Sequence, residues 1–337
     1  MPRLTIVIPC RNEVLYLEEC IHAIYNAELS EDVDMKVFVV DGMSDDGTRE
    51  LTVQLKQVFP TLRLVDNTKK LTPYAFNVGI YAGGKTDFVQ IVGARHIISR
   101  NYLSRSLEIL QKEPSVWCVG GRIMNEFTSY KSKVIATAMS TSFGMGLGNF
   151  RTLQQSGYTD TVTSPMYPYH IFESIGFFDE ELVRNQDDDF NFRVSKAGGK
   201  IYYAHEISLK YYVRGNYQGL WRQFFQYGYW KVYVNKKHNT ITTLRQIVPS
   251  LFVGYLMLMF PALFILPMWM VFLPLALYFL ICVLVSFKYS NRELRMHDLA
   301  LVFPILHLSY GLGYLNGIFH FMVVGKKPSD KQKRLSR

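Results

Sequence analysis

Short, uninterrupted apolar runs alternate with longer stretches of helical period in the first part of the chain. Leu4-Thr-Ile-Val-Ile-Pro9 reads as a strand, and Leu15 to Ala27 follows as a helix with Leu17, Cys20, Ile21 and Ile24 on one face. Val37 to Asp41 is a second strand, apolar on both faces as buried parallel strands tend to be. Arg49 to Val58 is helical, Leu62 to Val65 a third strand, Leu71 to Ala82 a helix, and Asp87 to Val92 a fourth strand. This alternation predicts βαβ units around a mostly parallel sheet, hence an α/β fold. Ligands in such sheets bind beyond the carboxyl ends of the strands, which directs attention to Pro9–Glu13, Asp41–Thr48 and Gly93–His96.

The pattern then changes. From Ile247 to Phe287 there are 41 residues without a charge, and Leu299 to Gly325 adds a second uncharged run of 27. The first run would be roughly 60 Å long as one helix, twice a hydrocarbon core, so it predicts two spans with a turn near Phe264–Trp269. Basic residues precede the first span (Arg222, Lys231, Lys236, Lys237, Arg245) and follow the second (Lys288, Arg292, Arg295). Both flanks therefore belong inside, and the uncharged turn outside. Residues 326–337 are basic as well, which would place both ends of the third run inside. Either the charge rule is overridden and the segment crosses, or it dips in and returns with break points at Pro304, Gly311, Gly313 and Gly317, and the re-entrant form is the expectation. Before the first span, Trp221, Phe224, Phe225 and Gly228 recur at helical spacing, which predicts an amphipathic segment over 216–246 lying at the membrane interface.

The net charge of +9 is concentrated in the apolar region, with nine basic against three acidic residues from Ile247 onward. That distribution suits anionic lipid and disfavours a nucleic-acid partner. The four cysteines (Cys10, Cys20, Cys118, Cys282) show no CxxC spacing, as expected in a reducing compartment. The chain runs from Met1 straight into a strand, so no signal peptide is expected and the first domain stays cytoplasmic.

The loops hold the candidate chemistry. Pro9-Cys-Arg-Asn-Glu13 offers two acceptors and a cation, and Asp41-Gly-Met-Ser-Asp-Asp-Gly-Thr48 closes a strand with an acid that can bond ribose hydroxyls or a base N–H. The bland alternative for the second loop is a tight turn and helix cap. Neither a GxGxxG after the first strand nor a Walker A loop is present, which disfavours NAD enzymes and P-loop NTPases. The densest acid cluster is Asp187-Asp188-Asp189, flanked by Arg184 and Arg193. One of its carboxylates is a candidate general base; the alternative is a solvated helix N-terminus.

Taken together these residues resemble a family 2 glycosyltransferase with the GT-A fold, most similar to the membrane-associated bacterial branch that builds exopolysaccharides such as succinoglycan. Six segments carry the resemblance: Ile8–Glu13, Asp41–Thr48, Asn77-Val-Gly-Ile-Tyr-Ala-Gly-Gly84, Phe143-Gly-Met-Gly146, Gly176-Phe-Phe-Asp-Glu180 and Asn185-Gln-Asp-Asp-Asp189. Each is common by itself; six in one order are specific. The resemblance implies a Rossmann-like GT-A domain over 1–215, membrane helices over 247–325 and a basic cytoplasmic tail over 326–337. It implies an inverting, hexosyltransferase-type transfer from a nucleotide-diphosphate sugar to a lipid-linked or glycan acceptor, at the inner membrane. By register Asp187 falls on the catalytic base, with Asp188 as the fallback and Gln186 in place of the usual Glu. Pro9, Arg11, Asn12, Glu13, Asp41, Ser44, Asn77, Arg95 and His96 fall on the nucleotide-sugar site.

One departure matters. Where the family carries Asp-x-Asp or Asp-x-His to hold Mg²⁺ or Mn²⁺, the chain reads Gly93-Ala94-Arg95-His96. Hard divalent cations take oxygen ligands, and Arg95 would repel one. The expectation is that Arg95, helped by His96, neutralises the leaving diphosphate directly. The rival class is a GT-A scaffold or binding subunit without turnover. A transporter is disfavoured because the uncharged runs carry no Asp, Glu, Lys or Arg to couple ions. Gln226-Tyr-Gly-Tyr-Trp230 is only loosely similar to the signature of processive synthases and lacks its arginine.

Overall fold

The computed structural model describes residues 1–146, 150–213 and 215–328. In chain order these form β1 (Arg3–Cys10), α1 (Val14–Tyr25), β2 (Asp34–Asp41), α2 (Thr48–Val58), β3 (Leu62–Asp66), α3 (Thr72–Gly83), β4 (Phe88–Ile91), β5 (His96–Ile98), α4 (Tyr102–Lys112) and β6 (Val116–Phe127). There follow α5 (Tyr130–Met139), α6 (Ser142–Met145), β7 (Gly157–Thr159), β8 (Thr163–Pro168), α7 (His170–Ile175), α8 (Gln186–Lys196) and β9 (Lys200–Val213). The last helices are α9 (Tyr217–His238), α10 (Val248–Ala262), α11 (Met268–Tyr289) and α12 (Met296–Gly317), the last continued by a π-helical stretch over Ile318–Val323.

Two compact units result. The first holds Met1–Glu126 and Leu153–Tyr212; the second holds Phe127–Thr152 and the chain from Val213. Residues 127–152, expected inside the first domain, thus belong with the C-terminal helices.

In the first unit the described strands form a mixed sheet in the order β3-β2-β1-β4-β8-β6-β9-β5, with β7 on β9. β3, β2, β1 and β4 are mutually parallel, as the apolar runs predict. β8 joins β4 antiparallel, with Gln90 opposite Met166. Leu4, Ile6, Ile8, Val37 and Val39 are buried against Leu17, Cys20, Ile21 and Ile24 of α1. On the other face α3 sits close to the sheet, because a Cβ on Gly79 would collide with Val7 and Val40. The carboxyl ends of β1, β2, β3 and β4 share one rim, and the loops leaving them carry the candidate residues.

The second unit corrects two expectations. Pro304, Gly311, Gly313 and Gly317 do not break the third apolar run, which is one continuous helix through Val323. The glycines are there for close approach: a Cβ on Gly313 would strike the Phe225 carbonyl, one on Gly317 the Tyr229 carbonyl, and one on Gly311 the Pro249 carbonyl. Likewise α9 is not amphipathic along its length. Trp221 and Arg222 are exposed, but Gly228 to Asn235 is buried without interruption, including Trp230 and Lys231. Gly228 permits this by letting α9 settle against Tyr310 and Tyr314 of α12. Three helices are long and apolar enough to cross a membrane: 244–262, 268–289 and 296–323. The segment Phe143–Gly146 belongs to this unit, where the Phe143 ring packs on Tyr278, Phe303 and His307. Of the basic tail, residues 329–337 lie outside the described residues.

Candidate active site

The loop after β1 and the loop after β2 are stitched together. Asn12 stands in the left-handed region (φ +55°), a conformation asparagine tolerates better than most residues. From there its backbone N–H donates to Ser44 Oγ at 2.8 Å, its side-chain amide donates to Asp45 at 2.8 Å, and its Oδ1 accepts from the Asp45 N–H at 3.1 Å. Next in sequence, the Glu13 N–H donates to Thr48 Oγ1 at 3.0 Å and the Val14 N–H to Asp46 at 3.2 Å. Burial alone would raise the Asp46 carboxyl, but the hydroxyl and N–H of Thr48 and the N–H of Val14 outweigh it and hold it below its ordinary value. Pro9 is the penultimate residue of β1, paired with Val40, and the Arg11 side chain lies over Gly42.

The β4–β5 turn joins the same assembly through Glu13. Arg95 Nε donates to Glu13 Oε2 at 2.5 Å, and the guanidinium carbon stands 4.6 Å from the centroid of the Tyr16 ring. Tyr16 in turn packs on Tyr212, whose hydroxyl donates to Glu19 at 3.0 Å. Glu13 is buried, while the Arg95 side chain keeps 22% of its exposure. The guanidinium is therefore fixed on one edge by a carboxylate and on one face by a ring, with part of it still open to solvent. His96 folds back over Gly93, and its Nδ1 meets Ser164 Oγ at 2.6 Å.

Two expected ligand contacts turn out to be committed within the protein. Asp41 is fully buried; Ser44 donates to it through both N–H and hydroxyl, and Arg49 donates at 2.7 Å while also pairing with Asp66. Those partners make Asp41 the post on which the 41–48 loop is folded, since a buried carboxylate without them would be costly. Asn77 is also engaged: its amide nitrogen donates to Phe178 O at 2.8 Å and Glu180 at 3.1 Å, and its Oδ1 accepts from the Phe178 N–H at 3.0 Å. It positions the Gly176–Glu180 loop, which Lys69 holds from the other side through Glu180 at 2.7 Å.

The acid triplet opens α8 and divides by environment. Asp189 is buried against Arg193, which also donates to the carbonyls of Ile175, Gly176 and Phe177. Asp188 accepts from the Asn185 amide at 3.2 Å. Asp187 remains exposed. It lies one helical turn before Asn191, on the same face. Asn191 reaches Thr161 at 3.0 Å, three residues from the Ser164 that holds His96. Tyr167 is pushed well above its ordinary value, by burial first, then by Cys118 and the Asp187 charge beside it. α8 and the 93–96 turn are thus both tied, through Asn191 and His96, to the stretch Thr161–Ser164.

The 93–96 turn itself supplies no carboxylate for a divalent metal. The position expected to supply carboxylates supplies a guanidinium already paired with Glu13, and among the described residues no group of three or more His, Cys, Asp or Glu side chains could hold an ion. Sequence reasoning missed Tyr16, Arg49 and Ser164, and marked Arg193 only as a cation flanking the triplet. Only Tyr16 left a signal, standing three residues after Glu13 on the first turn of α1.

Comparison with known proteins bears on the family and the fold. The chain is 25% identical to the succinoglycan biosynthesis protein ExoA of Rhizobium meliloti over 319 residues, covering 94% of this chain and 95% of that protein. It is 29% identical to a dolichyl N-acetyl-α-D-glucosaminyl phosphate 3-β-D-2,3-diacetamido-2,3-dideoxy-β-D-glucuronosyltransferase of Methanococcus voltae, over 67% of this chain and 71% of that one. Among solved structures, the mannosyltransferase PcManGT of Pyrobaculum calidifontis, in complex with GDP-Man and Mn²⁺, superposes with a TM-score of 0.64 at 16% identity, covering 94% of this chain and 87% of that chain. At that identity it speaks for the fold, which is GT-A. The model of the glycosyltransferase-like family 2 matches residues 2–239, the stretch that contains every loop of the rim, and the chain belongs to that family.

Proposed function

We propose that this membrane-associated glycosyltransferase moves a sugar, with inversion, from a nucleoside-diphosphate donor to a lipid-linked or glycan acceptor, its catalytic domain in the cytoplasm. The Methanococcus relative, whose name gives a dolichyl-phosphate-linked sugar, supports the lipid-linked form of the acceptor. Asp187 takes the acceptor hydroxyl proton as the oxygen attacks the anomeric carbon. The bond from that carbon to the diphosphate oxygen breaks on the opposite face, and the nucleoside diphosphate leaves with the electron pair. Arg95, with His96 beside it, meets the charge that develops there, as a preorganised cation should.

The observation that carries this reading is the way the triplet divides. Asp187 is exposed, Asp188 half-buried and Asp189 buried against Arg193, so Asp187 is the carboxylate of the three most accessible to a substrate. Asn12, Glu13 and Ser44 shape the donor loop, Pro9 and Arg11 line its start, Asp41 holds it from behind, and Asn77 positions the 176–180 loop. The test is Asp187→Asn assayed by release of nucleoside diphosphate from UDP-, GDP- and other nucleotide sugars. The variant should keep the wild-type melting temperature and lose at least ~10²-fold in kcat, the usual weight of general base catalysis. Undiminished turnover would remove Asp187 from the mechanism. Copurification with another transferase and no turnover of its own would favour the scaffold reading.

A further inference from the structure

Three helices in the second unit are apolar enough to cross a membrane, yet they are not alike. Half of the apolar window of α12 is buried inside the protein (50%), against 11% and 17% for 244–262 and 268–289. The cover of α12 is mixed: the uncharged α10 meets it at Gly311 and α11 at His307, while α9 and α5 bring charged residues against it. α9 runs alongside its C-terminal half, with Phe225 beside Gly313, Tyr229 beside Gly317 and the Tyr233 ring 4.8 Å from that of Phe321. Lys236 donates to the Phe321 carbonyl at 2.5 Å. This companion helix carries Arg222, Lys231, Lys236 and Lys237. The N-terminal half of α12 is covered by α5, where Tyr130 donates to Asp298 at 2.7 Å and Lys133 pairs with Glu293, and by α6, whose Phe143 carbonyl meets His307 at 2.8 Å.

What α12 leaves most open is Leu301 near its start and Asn316, Phe319, Met322 and Val323 near its end, with Ile305, Leu308, Leu312 and Leu315 half-buried on the same side between them. The charge that an interfacial helix would carry on its own polar face is supplied here by α9, packed along the C-terminal half of α12. Were α12 to cross, α9 would be drawn with it and would place Arg222 and Lys231 at hydrocarbon depth.

We propose that α12 lies along the bilayer surface, its open side toward the lipid, and that α10 and α11 alone enter the hydrocarbon. Their exposed apolar residues, from Met257 and Leu258 through Phe264 and Trp269 to Leu284, are unaccompanied by any charge. This assignment also accounts for the basic residues at both ends of α12 (Lys288, Arg292 and Arg295 before it, Lys326 and Lys327 after it), which then sit on one side of the membrane. The inference rests on membrane association and is independent of turnover.

The test uses the full chain in membranes, with Lys237→Cys, His297→Cys or Lys327→Cys introduced singly; the native cysteines are buried. A membrane-impermeant maleimide applied to sealed cells and then to permeabilised cells should treat all three positions alike. A C-terminal fluorescent-protein or alkaline-phosphatase fusion, which needs no substitution, should report the same side as positions 237 and 297. Positions 297 and 327 reacting from opposite faces would overturn the proposal, as would extraction of the chain from membranes by alkaline carbonate.

Discussion

Replacing Arg95 by methionine separates what its guanidinium does for the fold from what it does for a substrate. Glu13 is 7% exposed and takes Arg95 Nε at 2.5 Å, so the single variant takes this cation away from a nearly buried carboxylate. Breaking a fully buried ion pair costs ~3–5 kcal/mol. The Arg95 side chain is 22% exposed, water reaches this pair, and the cost falls to about 2 kcal/mol. At ~2–4 °C per kcal/mol for a domain of this size, Arg95→Met should melt ~4–8 °C below the wild type. The double variant Glu13→Gln, Arg95→Met removes the carboxylate charge as well and should regain most of that loss. Its activity should not return. A cation aimed at developing negative charge contributes ~10²–10³ in kcat, and the double variant still lacks it. Thermal denaturation together with initial rates of nucleoside diphosphate release at saturating donor gives both quantities. Wild-type kcat in the double variant would refute the reasoning, because Arg95 would then serve only to neutralise Glu13.

Other consequences are more local. Asp189→Asn deprives Arg193 of its carboxylate and should lower stability by about 2 kcal/mol in urea titration, with kcat per folded molecule unchanged; complete loss of turnover in a folded Asp189→Asn protein would move the base to that residue. Gly79→Ala drives a methyl into Val7 and Val40 and should destabilise by ~1–3 kcal/mol, whereas Gly157→Ala, with nothing within 4 Å, should be nearly neutral; equal effects at the two positions would contradict the packing of α3. Asp46 is held below its ordinary value of 3.8 in the folded chain, so its contribution is complete above that pH and disappears as pH falls through the lower folded value. The stability gap between wild type and Asp46→Ala should therefore be present at pH 7 and close in strong acid; a gap that persists there would mean that its hydrogen bonds do not depend on the charge.

β1, β2 and β4 were legible because they are short, mostly apolar runs buried on both faces, and the edge strand β3 because Leu62, Leu64 and Val65 stand out despite the exposed Arg63; the helix after β1 was legible because Leu17, Cys20, Ile21 and Ile24 repeat at helical spacing. The antiparallel half was not. β9 mixes Lys200, Glu206 and Lys210 with tyrosines over 14 residues, and its pairing depends on partners far away in sequence. The glycines of α12 misled for a physical reason: Gly311, Gly313 and Gly317 look like breaks in one chain, and only a neighbouring helix shows that they are points of contact. At the site, motif spacing pointed to the rim loops and the acid triplet. It could not show that Asp41 and Asn77 are already bonded inside the protein, because Arg49 and the 176–180 loop reach them only in three dimensions.

The most direct test of the account is nucleotide-sugar turnover by the membrane-bound protein in excess EDTA. Release of nucleoside diphosphate, with a sugar product of inverted anomeric configuration, should continue at an undiminished rate. A strict requirement for added Mn²⁺ or Mg²⁺, or no turnover of any donor, would contradict it.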